Sequence, residues 1–363
     1  LVKSFTLPSI SHRAVTIKDI ASRAKLSLAA VSYALRNDSK IPLGTRQHVQ
    51  AVARDLGYRP NPRIASLMAY IRRAHSRETG EKIAFVWVHT TRAEALRDPF
   101  LQKVLLGART RAAQTGFELE EFWPNEGGMN DRRLQQILRT RGIVGVVLSP
   151  VTTNEATVAL NWDWSPFAAA VIGNVTWTPE MHHAGHHHFL GMRLALLELQ
   201  RLGFRRPAAL IDQETNERGK RAWEAAFLTH YPEPKRARAF LRILPPAEML
   251  AGTTSSWLSA SGADALIVST TRLLDTPKLR TVCHRLSLPI VSLHWNENSE
   301  GIGGIDQCYD QIAAHAVDLV VAQLNSNETG TPDLPRIMLF PGRWVPPRLS
   351  SPGIRGRSVK SKA

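Results

Sequence analysis

Between Thr16 and Leu56 apolar residues return every three or four positions in three short bursts, each closed by a polar break. Ile17, Ile20, Ala21 and Ala24 share one face of a first helix. Thr16 followed by Asp19 is a capping-box-like start: the Thr side chain can take an orphan backbone N–H while Asp19 sits in the first turn. Lys25-Leu26-Ser27 makes a turn, and Ser27 can cap a second helix through Val31, Ala34 and Leu35. Asn37-Asp38-Ser39 interrupts the pattern. A third helix follows Pro42, burying Val49, Val52, Ala53 and Leu56 before Gly57 stops it. Two helices joined by about three turn residues form the helix-turn-helix arrangement, whose second helix lies in the DNA major groove. A three-helix bundle with no DNA role fits that geometry about equally well.

Residues 72–81 are polar and read as a linker, after which short apolar runs alternate with helical stretches. Strands are predicted at 83–88, 117–123, 143–148 and 168–172, with helices at 99–115 and 131–141 between them. The alternation then repeats. Helices at 185–202 and 218–230 and strands at 207–211, 238–243, 265–268 and 289–293 make a second set, with residues 253–260 ahead of the strand at 265. A helix at 311–325 and a closing strand at 336–340 follow. Strand–helix alternation of this kind gives a doubly wound α/β sheet.

Length and charge sharpen the picture. At 363 residues the chain exceeds one ordinary domain, so a small head plus a large body fits. Lys and Arg number 46 against 31 Asp and Glu, a formal net charge of +15. Residues 1–80 hold 14 of those cations and 4 of the acids, so 10 of the excess positive charges lie in the head and hinge. Such concentration favours a polyanionic partner and salt-sensitive binding. A basic membrane-surface helix competes, but no strongly amphipathic basic helix is seen. Two cysteines, Cys283 and Cys308, give no disulfide framework. No apolar run reaches about 18 residues and residues 1–12 lack a signal-peptide core, so a cytoplasmic protein without a membrane span is expected.

Thr16-Ile17-Lys18-Asp19-Ile20-Ala21, Val31-Ser32-Tyr33-Ala34-Leu35 and Gly57-Tyr58-Arg59-Pro60-Asn61-Pro62 resemble the LacI/GalR family of bacterial repressors in order and spacing, without a gap. The body resembles the family by pattern and by two motifs, residues 199–206 and Pro341-Gly342-Arg343-Trp344. The resemblance implies a small all-α helix-turn-helix head plus an α/β two-lobed, periplasmic-binding-protein-like body. Head, hinge and body then fall at 13–59, 60–81 and 82–347. The N-lobe takes about 82–173 and 305–329, the C-lobe about 174–304 and 335–347, and a basic disordered tail occupies 348–363.

By the same resemblance the chain is a homodimeric regulator, expected to be a repressor. It binds a near-palindromic double-stranded DNA operator and is modulated by a small molecule between its lobes, a carbohydrate being one candidate. Leu28, Ala29 and Tyr33 face base edges, and Leu67 is the hinge residue that wedges into the minor groove, kinking the duplex at a cost of roughly a few kcal/mol. Lys18, Ser27, Ser32, Arg36, Asn37, Lys40 and Arg46 are the phosphate-contact candidates. Three departures from the family's habit stand out. Tyr33 stands where an Arg usually reads guanine, Leu28 and Ala29 offer only apolar contact, and Ile64 replaces a small hinge Ala. The operator is therefore not the family's commonest one.

Ligands of open α/β lobes sit beyond the carboxyl ends of the strands. Candidate effector contacts there are His89, Arg218, Thr271, Trp295, Asn296 and Gln307; for each, a solvated loop residue is an equally good reading. Arg218 matches approximately the family's effector-gripping arginine. The usual Asn-Asp after the strand at 265–268 has become Thr270-Thr271-Arg272, and the usual Asp near Gly191 has become a His. The cleft is thus richer in His, Trp and Arg than a simple sugar site. An acidic or aromatic effector and a vestigial cleft both fit that composition, the latter making a ligand-independent DNA-binding protein the alternative reading.

His182, His183, His186, His187 and His188 form the one cluster with metal-ligand character, since i,i+4 pairs would share a face if the segment were helical. No nearby Cys and no carboxylate besides Glu180 completes a site, so an incidental run outweighs a metal centre. Gly301-Ile302-Gly303-Gly304 is no dinucleotide fingerprint, and neither a phosphate-binding loop nor a nucleophile elbow occurs. No enzyme activity and no cofactor are expected.

Overall fold

The computed structural model describes residues 15–38, 40–58, 81–124, 126–153, 157–248, 253–275, 277–299 and 301–348. Leu67, the hinge at 60–80 and the tail at 349–363 lie outside the described residues.

The head is three helices, α1 (Ile17–Ala24), α2 (Leu28–Leu35) and α3 (Leu43–Asp55). Their periodic apolar residues meet: Ile20, Val31, Ala34 and Val49 are sealed from solvent, with Leu26, Leu35, Ile41 and Leu56 packed around them. Lys25 adopts the left-handed conformation (φ 55°) that turns the chain from α1 into α2. Asp19 accepts from the Thr16 backbone N–H at 2.8 Å and from its hydroxyl at 2.6 Å, and Ser27 Oγ accepts from the Ala30 N–H at 3.1 Å. Caps of this kind are worth about 1 kcal/mol each.

The body holds two six-stranded sheets. The first runs β13 (Ile337–Phe340), β7 (His182–His186), β5 (Ala168–Ile172), β3 (Gly145–Leu148), β1 (Lys82–Val86), β2 (Glu118–Phe122), all parallel. The second runs β14 (Arg343–Val345), β12 (Gly303–Asp306), β11 (Ile290–Ser292), β10 (Ala265–Val268), β8 (Pro207–Asp212), β9 (Leu241–Leu244), with only β14 antiparallel. Period-two alternation divides β1 between two cores. Ile83 and Phe85 face the helices Pro99–Gln114 and Tyr309–Ser326, while Ala84 and Val86 face Leu134, Leu138 and Trp162. Phe85 is wholly buried, which stabilises the fold by about 1.5–3 kcal/mol. Gly107 lets helices Pro99–Gln114 and Tyr309–Ser326 touch: a Cβ there would lie 2.1 Å from the backbone oxygen of Asp310.

Several sequence expectations change. Residues 182–186 form strand β7, and the following helix starts at His188 rather than 185. Consecutive histidines therefore alternate across a pleat, and no i,i+4 pair shares a helix face. The expected helix at 218–230 is two pieces, Gln213–Arg218 and Ala222–His230, broken by left-handed Lys220 and Arg221. The strand expected at 238–243 begins only at Leu241, because residues 238–240 end a 3-10 turn (Pro234–Phe240). Helices Arg92–Arg97 and Pro277–Arg285 and the small parallel pair β4 (Thr157–Ala159) and β6 (Thr176–Thr178) were not anticipated.

The lobe boundaries shift too. Residues 182–186 and 337–340, assigned to the C-lobe from sequence, belong to the first sheet, and 305–306, assigned to the N-lobe, belong to the second. The chain passes between sheets after 186, 306 and 340. Helix Tyr309–Ser326 packs on the first sheet, its Ile312, Val317 and Val320 in the same core as Ile83.

Candidate nucleic-acid interface and interlobe cleft

The first turn of α2 presents Leu28 at 54% exposure, with Ala29 also exposed beside it. Both side chains point away from the head's own core and are open to a partner. Tyr33, one turn on, is half-buried, with the Arg36 guanidinium 5.1 Å and the Lys40 ammonium 5.7 Å from its ring centre. Such cation–π contacts are worth about 0.5–1 kcal/mol at exposed sites and hold two cations beside the same ring. Arg36 is further fixed by its Nε–H donating to the Ser32 backbone oxygen at 3.1 Å. Arg46 Nη1 donates to the backbone and side-chain oxygens of Asn37 (3.0 and 2.8 Å), which ties the turn after α2 to α3. Of the expected phosphate contacts, Arg46 and Asn37 thus already bond each other. Lys18, Ser27 and Lys40 are exposed, and Ser32 is half-buried.

The expected effector residues are not all gathered. Arg218 ends its helix in the second lobe and donates through Nη1 to the Thr153 backbone oxygen at 2.7 Å, in the loop beyond β3 of the first. Gln307 is buried, its Nε2 donating to the Leu293 backbone oxygen at 2.7 Å. Trp295 is held through Nε1 on the Ile302 oxygen at 2.9 Å. The Asn296 carboxamide oxygen accepts from the Asn298 N–H and the Ser299 hydroxyl, closing a local turn on the surface. Thr271 opens a 3-10 turn, and His89 lies exposed in a left-handed turn after β1.

Other residues, missed from sequence, converge where Arg218 lies. His294 packs beside Phe100 (5.6 Å between ring centres) and Tyr309 (5.8 Å, stacked), whose own ring centres are 4.6 Å apart. His188 stacks on Trp223 at 4.6 Å, and its Nδ1 lies 3.0 Å from the His186 backbone oxygen and from Asn174 Nδ2. The His186 carbonyl also accepts from Asn174 Nδ2 at 2.6 Å, so the amide and the imidazole meet at one oxygen. Burial holds both imidazoles neutral: it lowers His188 to about 4 and lowers His294 as well, with Arg218 adding to both shifts. Burial likewise raises the Tyr309 phenol to about 12. His186, 1% exposed, fills the crossing itself, where a Cβ on Gly191 would lie 2.5 Å from its Nε2 and one on Gly342 3.2 Å from its Cε1. The signal available in sequence was the loop at 294–296 and the His run. Choosing among neighbours in each needed the strand register. Among the described residues no group of three His, Cys, Asp or Glu is placed to hold a metal ion, and no helix is long and apolar enough to cross a membrane.

Comparison with known proteins follows the same division. The family model described as bacterial regulatory proteins, lacI family, matches residues 16–61. The HTH-type transcriptional repressor CytR of Escherichia coli (strain K12) is 33% identical over 104 residues, 29% of this chain and 26% of that protein. The HTH-type transcriptional regulator PtxS of Pseudomonas plecoglossicida is 28% identical over 136 residues, 37% of this chain and 36% of that protein. These curated relatives are thus matched over 26% and 36% of their own length. Among solved structures, the CelR–cellobiose complex superposes at TM-score 0.50 with 16% identity, over 93% of this chain and 100% of that one. A LacI transcriptional regulator from Lactobacillus brevis does so at 0.50 with 12% identity, over 73% and 100%. At such identities the superpositions speak for the fold.

Head and body together define a helix-turn-helix protein with a periplasmic-binding-protein-like body. The head, at residues 16–61, matches the lacI family of bacterial regulatory proteins, as its motifs predict.

Proposed function

We propose that this protein is a sequence-specific DNA-binding transcription regulator, acting as a repressor in the cytoplasm. Two copies grip a near-palindromic operator, each head reading one half-site. The observation that carries this reading is the apolar first turn of α2, with Leu28 54% exposed on a head whose sequence matches the family model. Leu28 and Ala29 would meet thymine methyls, and Tyr33 a base edge. Lys18, Ser27, Ser32, Arg36 and Lys40 would hold phosphates, with Arg46 and Asn37 fixing the turn between them. Leu67, outside the described residues, would wedge the minor groove.

The cleft between the lobes would hold a small effector contacted by Arg218, with His89, Thr271, Trp295, Asn296 and Gln307 as the further candidates. CelR, which shares the fold, was solved with cellobiose. An effector that prefers one lobe arrangement must shift DNA affinity, and DNA must shift effector affinity by the same factor. Selecting bound duplexes from a random pool and footprinting them tests the proposal. A two-fold symmetric site is expected, whereas a pool that stays random after repeated rounds rules it out.

A further inference from the structure

Six residues on or beside the seam between the lobes carry buried polar atoms without a hydrogen-bond partner: Thr153 Oγ1, Asn174 Oδ1, both ring nitrogens of His186, Asn216 Oδ1, Trp223 Nε1 and Gln307 Oε1. His186, Asn216, Trp223 and Gln307 are each at least 97% buried. Burying a polar atom unpaired costs roughly 1–3 kcal/mol, so a cluster of them is a preformed set of donors and acceptors for a guest. The carboxylate beside that set, Glu224, is already engaged, accepting from Asn216 Nδ2 at 2.9 Å with the Arg221 guanidinium 3.2 Å away. Arg218 acts on His188, His294 and Tyr309 together, and Arg272 acts on His294. The carboxylate acting on His294 is Asp98, which already accepts from the Phe100 N–H at 2.9 Å. A neutral sugar is normally held by carboxylates accepting from its hydroxyls. Here the groups beside the seam are an arginine with donors beyond the one given to Thr153, imidazoles and amides, with the rings of Phe100 and Tyr309 against His294.

We infer that this seam takes a small organic anion, its carboxylate or phosphate paired with Arg218 and its body received by His188, His294 and the rings beside them. The inference rests on reading the cleft as an effector site and names the class of ligand it admits. A consequence follows for protons. His188 faces His186, His187, His294 and Arg218, and His294 faces Asp98, Arg218 and Arg272. In the empty seam these mostly cationic or neutral neighbours add to burial in keeping both imidazoles unprotonated. An anion beside them reverses the balance and favours imidazolium. Binding therefore takes up protons. Affinity falls as pH rises from about 4, where free His188 titrates, to the higher value reached in the complex, by at most about tenfold per pH unit and per proton.

The test is calorimetric titration of the full chain with sodium benzoate, D-glucuronate, D-glucose 6-phosphate and D-glucose at pH 6 and pH 8. Two buffers of different ionisation enthalpy report the protons exchanged. At least one anion is expected to saturate, about fivefold or more tighter at pH 6, with net proton uptake and with D-glucose at least tenfold weaker. The three anions separate a carboxylate from a phosphate source. Arg218→Met should weaken that anion at least tenfold, and Arg218→Lys, which keeps the charge, should retain part of the affinity even if the Met variant misfolds. The inference is overturned if D-glucose binds as tightly as the anions, if anion affinity is independent of pH, or if none of the three anions saturates. Parallel DNA titrations keep the two readings apart. D-glucose alone binding and altering DNA affinity leaves the effector reading standing and removes this one. An anion that binds without altering DNA affinity does the reverse.

Discussion

Arg218 reaches out of the second lobe and donates at 2.7 Å to the backbone oxygen of Thr153 in the first, so one side chain bridges the two lobes. A charge-assisted hydrogen bond of this kind contributes about 1.5–3 kcal/mol where it is shielded from water. Arg218 is only part-buried, so the lower end applies. Arg218→Ala is expected to shift the lobes toward an open arrangement by about tenfold in equilibrium constant, seen as a larger radius of gyration in solution scattering, while each lobe keeps its thermal stability. An unchanged scattering profile would show that the clasp does not hold the lobes.

Packing of helix Pro99–Gln114 on helix Tyr309–Ser326 makes a sharper prediction. Gly107→Ala puts a methyl 2.1 Å from the Asp310 backbone oxygen, and backbone cannot swing aside as a flexible side chain does. A loss of about 1–3 kcal/mol in urea unfolding is expected. Gly44→Ala, in α3 with open space around its Cα, should instead stabilise the head by about 0.5–1 kcal/mol. Equal effects at the two sites would contradict the packing described.

Acid should unfold this body early. The ordinary imidazole value is near 6.5, and burial lowers His182, His183, His186, His188 and His294 below it in the folded chain. Above pH 6.5 these rings are neutral in both states and contribute no pH dependence. As pH falls below 6.5 the unfolded chain takes up protons that the folded chain refuses, so stability is lost down to the folded values. For His188, lowered to about 4, this amounts to about 3 kcal/mol by pH 4. His188→Phe keeps a ring on Trp223 and should flatten the pH–stability slope by close to one proton. A slope unchanged by that substitution would mean His188 titrates normally.

These histidines also show what could be read from sequence and what could not. The three head helices follow from local periodicity alone, because each buries one face in a small core and the turn residues lie where the pattern breaks. Most body strands are equally plain, since a parallel strand covered on both faces is a continuous apolar run. Strand β7 escaped for the opposite reason: His182-His183-Ala184-Gly185-His186 carries no apolar run, and pairing with β5 and β13 makes it a strand. The lobe assignment erred with it. Arg218 was found through its resemblance to a known motif. His188, His294 and Tyr309 come from distant parts of the chain, and only sheet order and the crossings after 186 and 306 bring them together.

On the head, apolar and cationic residues should fail in different ways. Lys18→Ala is expected to weaken binding to all duplexes and lower the slope of log affinity against log salt by about 1. Leu28→Ala should leave that slope alone and lower affinity for the selected site by about 1–3 kcal/mol, narrowing its margin over random DNA. Fluorescence anisotropy across a salt series reads both, and identical behaviour of the two variants would remove the proposed roles.

The most direct test is equilibrium binding of the full chain to its selected duplex and to a scrambled one at moderate salt, with stoichiometry from sedimentation. Two chains per duplex, a preference of about a thousandfold or more and affinity falling steeply with salt are expected. Equal affinity for the two duplexes, or a single chain bound per site, would contradict the account.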